Sequence, residues 1–170
     1  AGSALDRETP FRLATLYRDK LDRPLDAAGR FEALVADKPN SMIFAELEKI
    51  YEAQDRPEDL VRTLRRMAET VPPADRRSLR FRIGRLYSDR LDDPEEAARW
   101  IETALEDGEE DGGAVAELES TYRAAKRWSD LLEVLRRKLA GDLSPSSRID
   151  VLREIGRILL DQQNDVEEAI

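Results

Sequence analysis

Apolar residues recur at steps of three and four along most of the chain. One series is Leu13, Leu16, Tyr17 and Leu21, and a second is Leu79, Ile83, Leu86, Tyr87 and Leu91. This spacing places apolar side chains on one face of an α-helix, whereas a half-buried strand would alternate apolar and polar residues. It predicts helices at 8–21, 25–37, 41–54, 58–70, 75–91, 95–107, 113–125, 129–141 and 146–162, with a tenth beginning near 166.

Short turn-forming segments separate the predicted helices. Three of them place proline two residues after aspartate, at Asp22-Arg23-Pro24, Asp55-Arg56-Pro57 and Asp92-Asp93-Pro94. Proline is favoured at the first position of a helix, so each segment predicts a tight turn that leads into a second helix. Further helix stops occur at Lys38-Pro39-Asn40, Val71-Pro72-Pro73, Asp107-Gly108 and Leu143-Ser144-Pro145. The chain is therefore predicted to be a series of helical hairpins.

The hairpins repeat in sequence. Tyr17, Tyr51, Tyr87 and Tyr122 are separated by 34, 36 and 35 residues, and Leu159 follows after a further 37. A longer period is stronger: residues 12–34 match residues 82–104 at 10 of 23 positions, and residues 45–68 match residues 116–139 at 12 of 24. A period near 35 is typical of stacked helical hairpins. The longer period suggests that two hairpins together form the structural unit.

The repeat sets the expected boundaries. We expect one repeat domain over residues 8–170, after an N-terminal tail at 1–7 in which Ala1-Gly2-Ser3 is a cloning remnant. Its units are approximately 8–39, 40–73, 74–108, 109–143 and a truncated 144–170. Helical arrays normally end in a polar capping helix, and none is evident here. We therefore expect a segment of a longer protein, with weak self-association through the uncapped terminal repeat.

Several repeated positions match a known pattern. They are a large first-helix residue (Phe44, more loosely Val115 and Leu152), a Leu-Gly-like pair (Ile83-Gly84, Ile155-Gly156, near it Leu13-Ala14), the four tyrosines, a small second-helix residue (Ala27, Ala97, Ala169), an aromatic residue (Phe31) and a closing proline (Pro39, Pro72). In these features nearly the whole chain, from about residue 8 to 170, resembles a degenerate bacterial array of the tetratricopeptide repeat family. The second and fourth units depart from the pattern, with Leu60 and Leu131 at the small position and Glu48 and Glu119 at the glycine.

The resemblance implies an architecture and a function. The expected fold is all-α, a right-handed α-α superhelix of about four and a half hairpins. The expected function is a protein–protein interaction scaffold within a larger bacterial protein. In the family, first helices line a concave groove, and the slots two residues before each repeated tyrosine face into it. Those slots hold Thr15, Lys49, Arg85, Ser120 and Arg157.

Basic residues are enriched at these groove positions of an acidic molecule. We take Lys49, Arg85 and Arg157 as candidate anchors for an acidic peptide or helix, with Arg82, Arg153 and Arg123 close to the same face. Arginine can hold a carboxylate through two parallel hydrogen bonds. The alternative is that these cations are solvated and paired within the chain, to Glu46, Glu52, Asp89, Glu117 and Glu154. Such surface pairs contribute little to stability.

Composition narrows the classes of function. The chain has no Cys and no His, which disfavours thiol and imidazole catalysis and the commonest metal ligands, so we expect no enzyme, cofactor or metal site. The net charge of −9 disfavours nucleic acid as a partner. No apolar run is long enough to span a bilayer and no signal-like segment is evident, so we expect no membrane insertion and a cytoplasmic location.

Two further readings stay open from the sequence. The acidic run at 106–113 is either a solvated connection or, less in keeping with its spacing, a cation site. The chain as a whole could instead be a structural segment that assembles with copies of itself, or a regulatory domain of an enzyme. A concentration-dependent mass would distinguish self-assembly from a scaffold that binds other proteins.

Overall fold

The computed structural model describes residues 5–106 and 112–168, and the side chains of residues 9–106 and 113–161. Within that part of the chain there are nine helices and no strand. The helices are α1 (Leu5–Asp19), α2 (Pro24–Asp37), α3 (Ser41–Ala53), α4 (Pro57–Ala68), α5 (Pro73–Asp89), α6 (Pro94–Glu106), α7 (Gly112–Ala124), α8 (Trp128–Ala140) and α9 (Pro145–Glu168). The prediction of an all-α chain of helical hairpins is confirmed.

The four turns inside the hairpins share one backbone geometry. Each contains a residue in the left-handed region, with φ of 50° to 55°, at Asp22, Asp55, Asp92 and Lys126. The N–H of the next residue donates to the carbonyl oxygen of the repeated tyrosine, over 2.9 to 3.0 Å in all four turns. Such a bond ends a helix by satisfying one of its last carbonyls. The fourth turn has no proline, so the left-handed residue and this bond are sufficient to form it.

Each helix packs against the helix before it and the helix after it. The buried apolar side chains form two clusters, one from Ala14 to Ile83 and the other from Ala98 to Ile158. Half-buried aromatic rings lie where the clusters meet: Trp100 packs against the first and Phe81 against the second. The stability of such a stack is approximately the sum of its neighbouring interfaces.

Helices α5 and α6 approach each other closely at Gly84 of α5. A Cβ atom on this residue would lie 2.8 Å from Ile101 Cγ1 and 3.2 Å from the carbonyl oxygen of Ala97, both on α6. Ala97 is fully buried. The small residues predicted from the repeat pattern therefore bring the two helices of the third hairpin together.

The second and fourth hairpins use their larger residues differently. Leu60 and Leu131, at the small position, are buried in the core. Glu48 and Glu119, at the glycine position, are half-buried and accept hydrogen bonds from Arg82 and Lys138, respectively. The third hairpin thus packs through small residues at these two positions, whereas the second and fourth hairpins use a buried leucine and a hydrogen-bonded glutamate.

One sequence prediction is wrong at the end of the chain. We predicted that a helix ends at 162 and that another begins near 166, but α9 continues without a break to Glu168. No glycine or proline occurs between residues 157 and 168, so nothing in this segment interrupts the backbone hydrogen bonds. The remaining helix ends lie within three residues of those predicted.

Other predictions concern the start of the chain and residues that the structure does not describe. Helix α1 begins at Leu5 instead of residue 8, which leaves Pro10 inside the helix. The supposed cloning remnant Ala1-Gly2-Ser3, residues 107–111 of the acidic run and Ala169 lie outside the described residues. The right-handed sense of the superhelix stays a prediction.

Candidate functional site

The odd-numbered helices are joined by ion pairs between their side chains. Arg18 of α1 pairs with Glu46 of α3, Arg82 of α5 with Glu48 of α3 (2.7 Å), Arg85 of α5 with Glu117 of α7 (2.7 and 2.9 Å), and Arg123 of α7 with Glu154 of α9. Side chains can bridge these helices only if successive odd-numbered helices lie side by side. We call the surface that α1, α3, α5, α7 and α9 form the odd-helix face.

Two of the predicted site residues lie together on this face. Arg82 and Arg85 line a depression of about 160 Å³ beside α3 and a second one of about 430 Å³ beside α7. The first is also lined by Glu52, Leu60, Leu86, Asp89 and Arg90, and the second by Arg77, Ser78, Phe81, Gly113, Ala114 and Glu117. The two arginines therefore form a ridge between two hollows.

The other predicted anchors are dispersed along the same face. Lys49 of α3 is 68% exposed and lies 3.0 Å from Glu46. Arg153 of α9 has only a long contact, 3.8 Å, to Asp150 of the same helix. Arg157 is exposed and makes no ion pair within the part of the chain that the structure describes. Several of these cations are thus paired within the chain, as the alternative interpretation expected, and Arg157 is not.

Arg85 keeps its charge while it remains accessible. Its side chain is 63% exposed, although both of its hydrogen bonds go to Glu117. The hydrogen bond to Glu117, followed by the attraction between the two charges, raises the pKa of Arg85 above its ordinary value. The guanidinium is therefore permanently cationic, and an incoming carboxylate would have to displace Glu117.

A second set of polar residues was not anticipated from the sequence. Tyr51, which is 4% exposed, donates a hydrogen bond from its hydroxyl to Glu32 Oε1 of α2 over 2.6 Å. Arg62 of α4 also donates to Glu32, over 2.8 Å, and pairs with Asp59. Burial, and then the hydrogen bond to Glu32, raise the pKa of Tyr51 above its ordinary value. We call this group the Tyr51 cluster.

The same arrangement recurs two hairpins later. Tyr122, which is 7% exposed, donates to Glu102 Oε1 of α6 over 2.7 Å. Arg127 lies 2.8 Å from Glu102 and 2.7 Å from Asp130. The pKa of Tyr122 is raised for the same reasons, burial first and Glu102 second. We call this group the Tyr122 cluster.

The two clusters carried a signal in the sequence. Glu32 and Glu102 are identical residues at an offset of 70, and Tyr51 and Tyr122 at an offset of 71. Their repetition over two hairpins could have identified them as partners. Sequence reasoning missed them because tyrosine and glutamate lie on different helices, and the helical period does not say which side chains meet across an interface.

No group of three acidic side chains that could hold a metal ion occurs among the residues described. None of the helices in residues 5–106 and 112–168 is long and apolar enough to cross a bilayer.

Comparison with known proteins agrees with the hairpin architecture. Residues 114–149 match the family model described as tetratricopeptide repeat. The matched segment holds nearly all of α7, the whole of α8 and the start of α9. No curated protein matches the chain. The matched hairpin has the same turn geometry as the other three and the same buried tyrosine cluster as the second hairpin, which supports a tetratricopeptide repeat assignment for this chain.

Proposed function

We propose that this chain binds an acidic segment of another protein on the odd-helix face. Tetratricopeptide repeats generally act as protein–protein interaction scaffolds and are typically not enzymes. The observation that carries the finer proposal is the ridge of Arg82 and Arg85 between two depressions. The hollows supply space for a partner's side chains beside two permanent positive charges.

The proposed binding mode exchanges an internal carboxylate for an external one. Glu117 already contacts Arg85 through both carboxylate oxygens, which is the geometry that a partner carboxylate would adopt. The Arg85 side chain is 63% exposed and that of Glu117 is 16% exposed, so Glu117 would have to turn towards solvent when it is displaced. Ion pairs at a protein surface contribute only about 0–1 kcal/mol. Binding would then be stabilised by the apolar contacts that the same segment makes in the depressions, for example with Phe81.

The remaining cations extend the proposed surface in both directions. Lys49 lies on α3, Arg123 on α7, and Arg153 and Arg157 on α9. A segment that follows the face along a right-handed superhelix spanning residues 8–170 would meet them in turn. We regard Arg85 as the central anchor, with Lys49 and Arg157 towards the two ends.

The test compares two variants with the same change in net charge. The probe is a short fluorescein-labelled peptide of alternating Glu and Leu, and its affinity is measured by fluorescence anisotropy over a series of NaCl concentrations. Lys49→Glu with Arg85→Glu should weaken binding about tenfold or more, because two favourable charge contacts become repulsive. The control carries Arg66→Glu and Arg136→Glu on the even-numbered helices α4 and α8, and should bind like the wild type.

Two results would contradict the proposal. One is equal loss of affinity in the two double variants, which would reduce the effect to net charge. The other is an affinity of the wild type that does not change with salt, because contacts between exposed charges weaken as ionic strength rises.

A specific observation also favours a second candidate, self-association through α9. This helix exposes four large apolar side chains, Ile149, Leu152, Leu159 and Leu160. Contiguous exposed apolar surface is typical of interaction sites. Sedimentation equilibrium should then show a mass that rises with concentration, and Leu152→Glu with Leu160→Glu should abolish that rise. A constant monomer mass in the wild type would exclude this candidate.

A further inference from the structure

One position of the second helices alternates in charge along the repeat. It lies eight residues after the first residue of the helix and holds Glu32 in α2, Arg65 in α4, Glu102 in α6 and Arg136 in α8. In α2 and α6 the glutamate accepts the hydrogen bond from the tyrosine of the following hairpin. In α4 the corresponding side chain is cationic, although the following hairpin still has its tyrosine, Tyr87.

The interface between α4 and α5 therefore lacks the carboxylate that its two counterparts contain. Tyr87 is half-buried, and its hydroxyl has no hydrogen-bond partner among the described residues. Arg65 is exposed, and its guanidinium lies 5.3 Å from the centroid of the Trp100 ring. It makes no ion pair within residues 5–106 and 112–168. The tyrosine hydroxyl and the arginine guanidinium at this interface are thus each without a carboxylate partner among the described residues.

A depression occupies this interface. It has a volume of about 460 Å³ and is lined by Glu58, Val61, Arg62, Arg65, Tyr87, Leu91 and Asp93. Val61 and Leu91 make part of the wall apolar, while Tyr87, Arg62 and Arg65 contribute hydrogen-bond donors. The volume is large enough for one long side chain with its flanking backbone.

We propose that this depression binds the side chain of a glutamate from a partner protein. The carboxylate would accept hydrogen bonds from Tyr87 and Arg65, in the role that Glu32 has with Tyr51 and Arg62. Two acidic residues also line the site. Glu58 is exposed in the first turn of α4, and an oxygen of Asp93 already accepts the N–H of Glu96 over 3.0 Å.

This site goes beyond the acidic-segment surface described above. Its lining shares no residue with either depression on the odd-helix face. The chain's own two tyrosine–glutamate clusters are the model for the bound state. They predict that the bound group is a carboxylate that contacts one tyrosine and one arginine. Failure of one proposal leaves the other unaffected, because separate residues carry them.

The experiment is an NMR titration of the ¹⁵N-labelled full chain with the peptide acetyl-Leu-Ala-Glu-Ala-Leu-amide at millimolar concentrations. The chain has two tryptophans, and Trp100 contacts Arg65 whereas Trp128 lies in another hairpin. The indole N–H signal of Trp100 should shift with peptide and that of Trp128 should not. Tyr87→Phe, which removes only the hydroxyl, should weaken binding about tenfold.

Arg65→Glu gives a sharper test, because it installs the internal glutamate that the other two interfaces already have. Binding of the peptide should then be lost. Arg136→Glu makes the same charge change at the same repeat position, but the following repeat has Leu159 where the others have a tyrosine, so this variant should leave affinity unchanged. The proposal is overturned if the wild type gives no shift of Trp100. A control peptide has glutamine in place of the glutamate, acetyl-Leu-Ala-Gln-Ala-Leu-amide, and should not bind. The proposal is equally overturned if this control peptide binds as well as the glutamate peptide, if Tyr87→Phe binds normally, or if the two Arg→Glu variants behave alike.

Discussion

The interfaces of α2 with α3 and of α6 with α7 differ from the interface of α4 with α5, although all three have a tyrosine at the same repeat position. Tyr51 and Tyr122 are buried and bonded to glutamate, whereas Tyr87 is half-buried and lies beside Arg65 in an open depression. At two of the interfaces the tyrosine hydroxyl bonds to a glutamate of the preceding helix, and at the third no such bond occurs among the described residues. The tyrosine–glutamate contacts thus repeat over two hairpins, as the longer period of the sequence does.

The largest expected effect is on stability. Tyr51→Ala and Tyr122→Ala should each lower the free energy of unfolding by about 3–5 kcal/mol, because a large buried ring is lost and Glu32 or Glu102 loses its donor. Tyr87→Ala should lower the free energy of unfolding by about 2 kcal/mol. The loss is smaller because Tyr87 is only half-buried, so folding removes less of its apolar surface from water. Urea denaturation followed by circular dichroism measures all three. Equal losses would break the distinction between the interfaces.

Replacing glycine by alanine should have opposite effects on stability in two of the odd hairpins. Gly84→Ala should destabilise the chain by about 1–3 kcal/mol, because the added methyl group collides with Ile101 and with the backbone of Ala97. Gly156 holds the same repeat position in α9, where no atom lies within 4 Å of the added Cβ. Gly156→Ala should therefore stabilise by about 0.5–1 kcal/mol through helix propensity. Thermal unfolding of both variants tests the signs, and destabilisation by Gly156→Ala would contradict this account of α9.

Alkaline pH should act through the two buried tyrosines. Their pKa is raised above the ordinary value of 10.0 in the folded chain. The unfolded tyrosine therefore ionises first, and the stabilisation present below pH 10 is lost as pH rises beyond it. The slope approaches about 1.4 kcal/mol per pH unit for each tyrosine. Urea midpoints on both sides of pH 10 should show a smaller loss for the Tyr51→Phe, Tyr122→Phe variant than for Tyr17→Phe, Tyr87→Phe.

The smallest expected effect is the difference in coupling energy between an ion pair in the Tyr122 cluster and one on the odd-helix face. A double-mutant cycle of Arg85→Gln and Glu117→Gln should give a coupling energy of about 0.2–1 kcal/mol that falls with added salt. The corresponding cycle for Arg127→Gln and Glu102→Gln should give about 1–2 kcal/mol, because Arg127 is only 26% exposed and Glu102 also binds Tyr122. A larger coupling for the exposed pair would reverse the ranking.

The helices could be predicted because their signals are local. Apolar spacing and the Asp-x-Pro turns depend on residues within a few positions of one another, and both period lengths followed from the tyrosines and the double alignment. The prediction failed at α9, where we expected a helix to end at 162 and another to begin near 166, although no glycine or proline interrupts this segment. The helix continues through this segment, because a helix ends only where its backbone hydrogen bonds are interrupted.

The candidate site was predictable in part. The spacing relative to the tyrosines placed Arg82, Arg85 and Lys49 together on the first helices, and these helices do adjoin one another. It could not show that Arg85 meets Glu117, or that Arg65 and Tyr87 line one depression in which the described residues give the Tyr87 hydroxyl no hydrogen-bond partner. Residue 32 pairs with residue 51, and residue 85 with residue 117, only after helices have stacked at particular offsets and rotations.

The amino-acid sequence by itself determined the helices, the hairpin turns and the repeat, because each arises from backbone hydrogen bonding and the periodic placement of apolar side chains. The tertiary structure decided which charges are paired, which tyrosines are buried and where depressions remain. The physical reason is range: a helix needs only its own neighbours in the chain, whereas an ion pair or a cavity depends on the distance and rotation between helices, which packing of the whole stack sets.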